Sequence, residues 1–407
     1  MMVNKALSAP FLRLYALTLL FFSANSILNV IVPLQSEAKG ASNGEIGLIM
    51  GAYMFTCMFF RPWAGHLVHK HGPVIVLRFL LIVNGLALVL YSFTGLEGYF
   101  AARVMQGVCT AFFSMALQMG MIDALPEEQR SQGLSLYSMF TYMPTIAGPL
   151  IAIGLWEQSG MSGFAIAMFA IALGTGLFAF MVPMHAVKHQ ADTSGTYNGM
   201  RSELNRIASN RPLRICCFLI LTASVVFGAV ATFVPLYARQ VAYGHAGIYL
   251  MIQAFIIVAA RFAFSKRIPS DGQWHARFVS AVFLFGAVGG LLLSLSHDWG
   301  AIVFYAAAVC IGLAQALLYP TLVTYLTFVL PGASRNISIG LFIATADLGI
   351  SLGGMVMGPI ADRFSFSTMY AVSAALAAVA GCVAWYSRTM EDRRRQIDYL
   401  RDKERII

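Results

Sequence analysis

Charge is what this chain lacks. Of its 407 residues only 11% are Asp, Glu, Lys or Arg, against about a quarter in soluble globular domains. Hydrophobic residues make up 58% and the mean hydropathy is +0.73. So few charges exclude an ordinary soluble protein, and so much apolar content excludes disorder. Cysteine is scarce too. Cys57, Cys109, Cys216, Cys217, Cys310 and Cys382 form no C-x-x-C pair and fall within apolar runs; they point to small apolar packing, not to a disulfide or zinc framework. No G-x-x-x-x-G-K-[ST] phosphate loop occurs, so the chain carries no P-loop ATPase of its own.

What is present is a series of long apolar runs. A helix needs about 20 mostly apolar residues to cross a bilayer. Runs of this kind, bounded by Gly, Pro or charge, fall at 11–34, 46–65, 74–94, 97–122, 133–157, 163–183, 214–238, 246–264, 276–296, 300–330, 337–361 and 367–387. They predict an all-α membrane protein with twelve transmembrane helices. The first run has Lys5 and Arg13 near its start and no small-residue cleavage site after it, so it reads as a retained span and not a removed signal peptide. With the N-terminus cytoplasmic, the predicted outer loops hold only Lys39, Arg239 and Arg363 among the basic residues. That bias places both termini in the cytoplasm and the protein in the cell membrane. The net charge of +9 is therefore an orientation signal and implies no nucleic-acid partner. Trp63, Trp156, Trp274, Trp299 and Trp385 lie at or near span ends, as an interfacial aromatic belt requires.

The two halves match one another. At a shift of about 200 residues Gly47 aligns with Gly247 and Arg61 with Arg261, and the shift then grows in order through Pro33 with Pro235, Leu125-Pro126 with Leu330-Pro331, and Gly148-Pro149 with Gly358-Pro359. A duplicated unit of six spans keeps its orientation, which is the arrangement of the two halves of a rocking transporter. The expected domains are a six-helix bundle at 1–183, a cytoplasmic linker at 184–213, a second bundle at 214–387 and a cytoplasmic tail at 388–407. The expected overall symmetry is a pseudo-two-fold.

The stretch R-P-W-A-G-H-L-V-H-K-H-G from Arg61 to Gly72 resembles the signature R-P-x-x-G-x-L-x-D-R-x-G between spans 2 and 3 of the major facilitator superfamily, through Arg61, Pro62, Gly65, Lys70 and Gly72. Arg103-x-x-Gln106-Gly107 resembles its span 4 signature. Pro144 and Gly148-Pro149, with the repeat counterpart Gly358-Pro359, resemble the antiporter motif of its exporters. The resemblance implies the twelve-span drug/proton antiporter branch and a conformational gate at the Arg61–Gly72 loop. His69 stands where the signature carries Asp, and histidine does not supply that fixed negative charge. Asp123, at the inner end of span 4 and facing Lys70, is the expected partial substitute. His66, His69 and His71 form H-x-x-H-x-H without a Cys or nearby acid, and the family signature already accounts for that loop; no metal is assigned.

An ionisable group in the bilayer core costs at least about 2.5–3.5 kcal/mol, so each one calls for a reason. Two occur. Asp347 lies about 15 Å into span 11 at 1.5 Å per residue, where a carboxyl can hold a proton in one state and release it in another; the alternative is a structural Asp bonded between helices. Arg103 begins a polar stripe with Gln106, Thr110, Ser114 and Gln118, which must face a water-filled cavity or a partner helix. The resemblance places span 4 beside spans 1, 7 and 10 around the cavity. Further candidates for its wall are Asn25 and Asn29, Tyr53, Phe233, Gln253, Gln315 and Tyr319. Each is as readily an interhelical contact. Gly349, Gly353, Gly354 and Gly358 give span 11 small residues for close packing.

The leading expectation is proton-coupled export of a drug-like amphipathic compound by alternating access, with Asp347 and Arg103 coupling to protons. The alternative is an anionic or zwitterionic metabolite such as a metal-chelating metallophore. A non-transporting sensor and an intramembrane enzyme are remote alternatives, since the spans lack a catalytic pair. No cofactor is expected, and the partners are a small-molecule substrate, protons and the bilayer around a monomer.

Overall fold

In lipid every backbone N–H and C=O must be paired within the protein, and a helix does this within one segment. The computed structural model describes residues 7–181, 210–264, 267–269, 271–330 and 335–404, and is helical nearly throughout. The expected linker lies outside the described residues as far as residue 209. The helices are α1 (Ala9–Ala38), α2 (Asn43–His71), α3 (Pro73–Phe93), α4 (Leu96–Ala124), α7 (Arg211–Tyr237), α8 (Ala246–Ala263), α9 (Ala276–Trp299), α10 (Ala301–Val329), α11 (Arg335–Arg363) and α12 (Phe366–Glu404). Between α4 and α7 the run Glu127–Met181 breaks at Gly160, whose φ of 54° and ψ of −139° are not helical. Its two arms are α5 (127–159) and α6 (161–181). Among the described residues, ten segments are long and apolar enough to cross a membrane, with the α5–α6 run counted once. α2 is not one of them, because Arg61, Pro62 and His66 lower its hydropathy.

Short polar motifs set the turns. Ser42 starts α2 with a capping box, its hydroxyl accepting from the Glu45 N–H and the Glu45 carboxylate accepting from the Ser42 N–H at 2.8 Å. Gly72 ends α2 at φ +82° and Pro73 follows as the first residue of α3. The connections α1–α2, α7–α8 and α11–α12, which carry or adjoin Lys39, Arg239 and Arg363, share one end of the bundle, here the charge-poor end. The opposite, basic end carries Lys70, Arg78, Arg130, Arg211, Arg214, Arg261 and Arg335.

The helices pack in two groups. In the first, α1 lies on the α5–α6 run, α2 on α4, and α3 on α4 and on the same run, where a Cβ added at Gly85 would meet Ala172 of α6. In the second, α7 lies on α11 and α12, α9 on α10 and α12, and α8 on α10. The groups meet along two main seams, α2 with α11 and α5 with α8, and a lesser one between α1 and α7. Lipid gives helices no hydrophobic reason to associate, so close backbone approach between small residues supplies the attraction. The α2–α11 seam is of that kind. A Cβ added at Gly47 would sit 2.1 Å from the Gly354 carbonyl oxygen, and one at Gly358 would sit 2.3 Å from that of Asn43. On its other side α11 touches α7 as tightly: a Cβ at Gly353 would meet the Val225 carbonyl oxygen at 2.4 Å.

Candidate functional site

At the charge-poor end the groups are tied by polar contacts. The Asp362 carboxylate accepts from the backbone N–H groups of Asn43 and Gly44 and from the Asn43 amide, each at 2.8 Å. An anion at a helix N-terminus is favourably placed. Arg239 pairs with Glu37 at 2.7 Å. These contacts and the glycine seam close that end. A cavity of about 230 Å³ lies at the same end, lined in part by Trp156, Glu157, Arg239 and His245.

Deeper, Arg61 of α2 crosses to Asp347 of α11, its Nε donating to the carboxylate at 2.6 Å. The Asp347 side chain is 9% exposed and that of Arg61 32%. α2 continues as helix past Arg61 to His71, so this arginine of the loop signature is a mid-helix residue that bridges the two groups. Pro62 and Gly65 lie on the next turn, Gly65 against the Met115 side chain. Lys70 and Gly72 close the helix, His69 is exposed there, and Asp123 is half-buried at the end of α4.

Arg103 of α4 is fully buried. Its two terminal nitrogens donate to Asn25 and Asn29 of α1, each at 3.2 Å, and one also contacts the Met50 sulfur at 3.2 Å. Its Nε has no hydrogen-bond partner, and among the described residues no carboxylate pairs with it. Tyr53 joins the same network: its ring lies under the guanidinium at 5.6 Å, its hydroxyl accepts from the Asn25 amide at 3.1 Å, and it bonds Thr110 at 3.0 Å. A guanidinium held by neutral amides and an aromatic face keeps its full charge available to an anion.

The rest of the α4 stripe faces partner helices. Gln106 accepts from the Tyr91 hydroxyl of α3 at 2.7 Å, and Ser114 bonds back to the Thr110 carbonyl of its own helix at 2.8 Å. Gln118 is half-buried. Phe233, expected on the cavity wall, is instead fully buried in the second group against Phe366, 6.1 Å between ring centroids. α7 turns Phe227 and Ala231 to the cavity in its place.

That cavity, of about 170 Å³, lies between the groups along the α5–α8 seam. Its polar wall brings together Ser26, Asn29, Tyr142, Thr145, Gln253 and Gln315. Gln253 donates to Gln315 at 3.0 Å, leaving the Gln253 carbonyl oxygen buried and unpaired. Pro149 also lines the cavity. Pro144 and Gly148 stack on α1, the Pro144 carbonyl accepting from Ser26 at 2.8 Å. Pro359 packs beside Gly44 at the charge-poor end. Tyr319 packs against Phe342, 5.8 Å between ring centroids with the rings tilted by 43°. Sequence reasoning had named Asn29, Gln253 and Gln315 for this wall; it missed Met50 as an Arg103 contact, since methionines are frequent throughout these helices.

A two-group helical bundle with a central polar cavity and an ion pair across the seam is the build of a membrane transporter. The chain belongs to the Major Facilitator Superfamily, which it matches over residues 14–274 and 267–404. It is 51% identical over 378 residues to the staphylopine export protein of Staphylococcus aureus (strain Mu50), a match covering 92% of this chain and 95% of that one. Among solved structures it resembles a point mutant of the nucleoside transporter NupG, with a TM-score of 0.76 at 13% identity over 92% of this chain and 98% of the other. It also resembles a bacterial homologue of the human lysosomal transporter Spinster in an inward-facing, unoccupied conformation, with a TM-score of 0.72 at 13% identity over 94% and 97%. The two structural likenesses show the fold.

Proposed function

We propose that the protein is a secondary active exporter of an anionic or zwitterionic, metal-chelating metabolite of the staphylopine type, driven by proton antiport. The observation that carries this reading is Arg103, a fully buried cation with no carboxylate partner among the described residues, one hydrogen bond behind Asn29 on the cavity wall. Such a charge favours a substrate that brings its own anionic group. The staphylopine exporter at 51% identity supports the same class, and favours it over the drug-like amphipathic compound that was the leading expectation.

On this reading the helices span the cell membrane twelve times, α2 and both arms of the Gly160 break included, with the basic end and both termini in the cytoplasm. Bundles 1–183 and 214–387, related by a pseudo-two-fold, rock about the cavity. The closed charge-poor end makes this the state that loads from the cytoplasm. At about 170 Å³ the cavity is below the 300–1,000 Å³ of a complete small-molecule site, so it admits part of the substrate here and widens on loading. When the charge-poor end opens and the pair with Arg61 parts, Asp347 takes the proton that enters from outside.

The test is comparative metabolite profiling of cells with and without the protein, followed by staphylopine flux in proteoliposomes with and without a proton gradient. Gradient-dependent flux that Arg103→Ala abolishes is expected. Undiminished flux in Arg103→Ala refutes the reading, as does flux of amphipathic cations only.

A further inference from the structure

Arg61 and Arg261 occupy corresponding places in the two sequence repeats, Arg61 in the interior of α2 on the basic side and Arg261 in the last turn of α8. Each helix forms one main seam with the opposite group, and each arginine reaches across its seam. Arg61 meets Asp347 of α11. Arg261 meets Tyr142 of α5, its guanidinium carbon 4.8 Å from the ring centroid. The counterparts therefore differ in one respect: among the described residues the first faces a carboxylate, the second only an aromatic ring. The Arg261 Nε is shielded from solvent and has no hydrogen-bond partner.

The place of Arg261 decides what this means. Gln253 and Ile257 of α8 line the 170 Å³ cavity, and Arg261 follows them at the next i+4 position, on the same face and one turn nearer the basic end. Tyr142, on which it stacks, lines that cavity as well. Tyr319 of α10 lies within electrostatic range of both arginines, of Asp347 and of Tyr142. Only one of the two arginines is neutralised. An arginine in the last turn of a helix also offsets the helix dipole, which accounts for a positive charge at this end. It does not account for a guanidinium turned onto the cavity wall with a shielded donor unpaired, an arrangement that costs free energy unless a ligand completes it.

We propose that Arg261, stacked on Tyr142, is a second anion-binding group of the transport site, which receives a carboxylate of the substrate at the basic-end mouth while Arg103 and its asparagines hold a second anionic group deeper in the cavity. The inference rests on the proposed export of an anionic or zwitterionic metabolite. With Arg261 over the Tyr142 ring and its Nε unpaired, the guanidinium keeps the planar fork that suits bidentate carboxylate recognition. Because Arg261 and Tyr142 belong to opposite groups, the site exists only while the α5–α8 seam is closed as it is here, which confines anion capture to the loading state.

The experiment is staphylopine transport in proteoliposomes with substrate supplied at the basic-end face, comparing the intact chain with Arg261→Gln, Arg261→Met and Arg261→Lys. Arg261→Gln and Arg261→Met, the second retaining an apolar stem over Tyr142, are expected to raise KM about tenfold while kcat stays within about twofold. Arg261→Lys keeps the charge without the fork and is expected to fall between, within about threefold of the intact chain. Unchanged KM in both neutral variants overturns the assignment, as does an Arg261→Lys as impaired as they are, which makes the contact purely structural. If the intact chain moves no staphylopine, the substrate reading fails first and this site with it; if it does and Arg103→Ala stops it while Arg261→Gln does not, only the Arg261 site falls.

Discussion

Replacing Asp347 by Asn keeps the size of the side chain and an acceptor for Arg61 but removes the charge that ties α2 to α11. The two charge centres, about 4 Å apart, interact by about 4 kcal/mol at an effective dielectric near 20. Arg61 is 32% exposed, and solvent screening reduces the contribution of the pair to about 2 kcal/mol. The pair crosses the seam that closes the charge-poor end, so its loss disfavours the closed state by that amount. At about 1.4 kcal/mol per factor of ten, the ratio of closed to open molecules falls about 30-fold. Spin labels at Lys39 and Tyr243, which lie on opposite groups at the exposed charge-poor end, report that ratio as a distance distribution once the six native cysteines have been replaced. A short distance is expected in the intact chain, a population moved to longer distance in Asp347→Asn, and a partial return in the exchange Arg61→Asp with Asp347→Arg. If Asp347→Asn leaves the distribution unaltered, the pair holds nothing closed and its proposed part in proton coupling is lost with it.

Other expectations follow from the same geometry. Gly358→Ala drives a methyl against the Asn43 carbonyl oxygen, at 2.3 Å before relaxation; overpacking of this kind costs about 1–3 kcal/mol, and the same spin labels should move apart. Arg103→Lys keeps the charge but not the fork that spans Asn25 and Asn29; a loss above tenfold in the proposed staphylopine-type export, with a melting temperature lowered by a few degrees in detergent, is expected, and full activity is the contrary result. Asp271, in the α8–α9 connection, is held below the ordinary carboxylate range by the Gln273 N–H and then by His275. Since its pKa is lowered in the folded protein, those contacts persist above the unfolded value of about 3.9 and fade only as pH falls through the lower folded value. Asp271→Asn should thus leave the pH profile of transport between pH 5 and 8 in place, and a displaced profile argues against this assignment.

The apolar runs were sufficient to place the helices, because a backbone in lipid has almost no option but to satisfy itself. Arg103 and Asp347 stood out for a related reason: an ionisable residue in such a run is rare and needs a partner. Which partner it finds was not legible. Arg61 and Asp347 are 286 residues apart, and their meeting depends on how far α2 is displaced along α11, a tertiary register that no local pattern encodes. The α4 stripe shows the same limit. Its spacing put Arg103, Gln106 and Thr110 on one side of a helix, yet a stripe over 100° wide serves several neighbours, and Gln106 turns to Tyr91 while Thr110 turns to Tyr53. Phe233 was misplaced because aromatic residues are equally suited to a core and to a cavity wall. Arg261 was visible as the repeat partner of Arg61, but the difference that gives it meaning, a ring where the other arginine has an acid, belongs to the opposite half of the chain.

The glycines of α11 fall into two sets with different obligations. Gly349 and Gly353 press on α7, within the same group, and that contact persists whichever way the transporter faces. Gly354 and Gly358 press on α2, across the seam, and in the proposed rocking cycle that contact is made and broken once in every turnover. Residues of one type, a single position apart at 353 and 354, are thus held for separate purposes. Enlarging the first set taxes folding in all conformations, whereas enlarging the second leaves a folded protein whose clock runs unevenly. A substitution scan along this one helix should accordingly split into poorly expressed variants and well-expressed slow ones, alternating with the face of the helix and not with the size of the residue introduced.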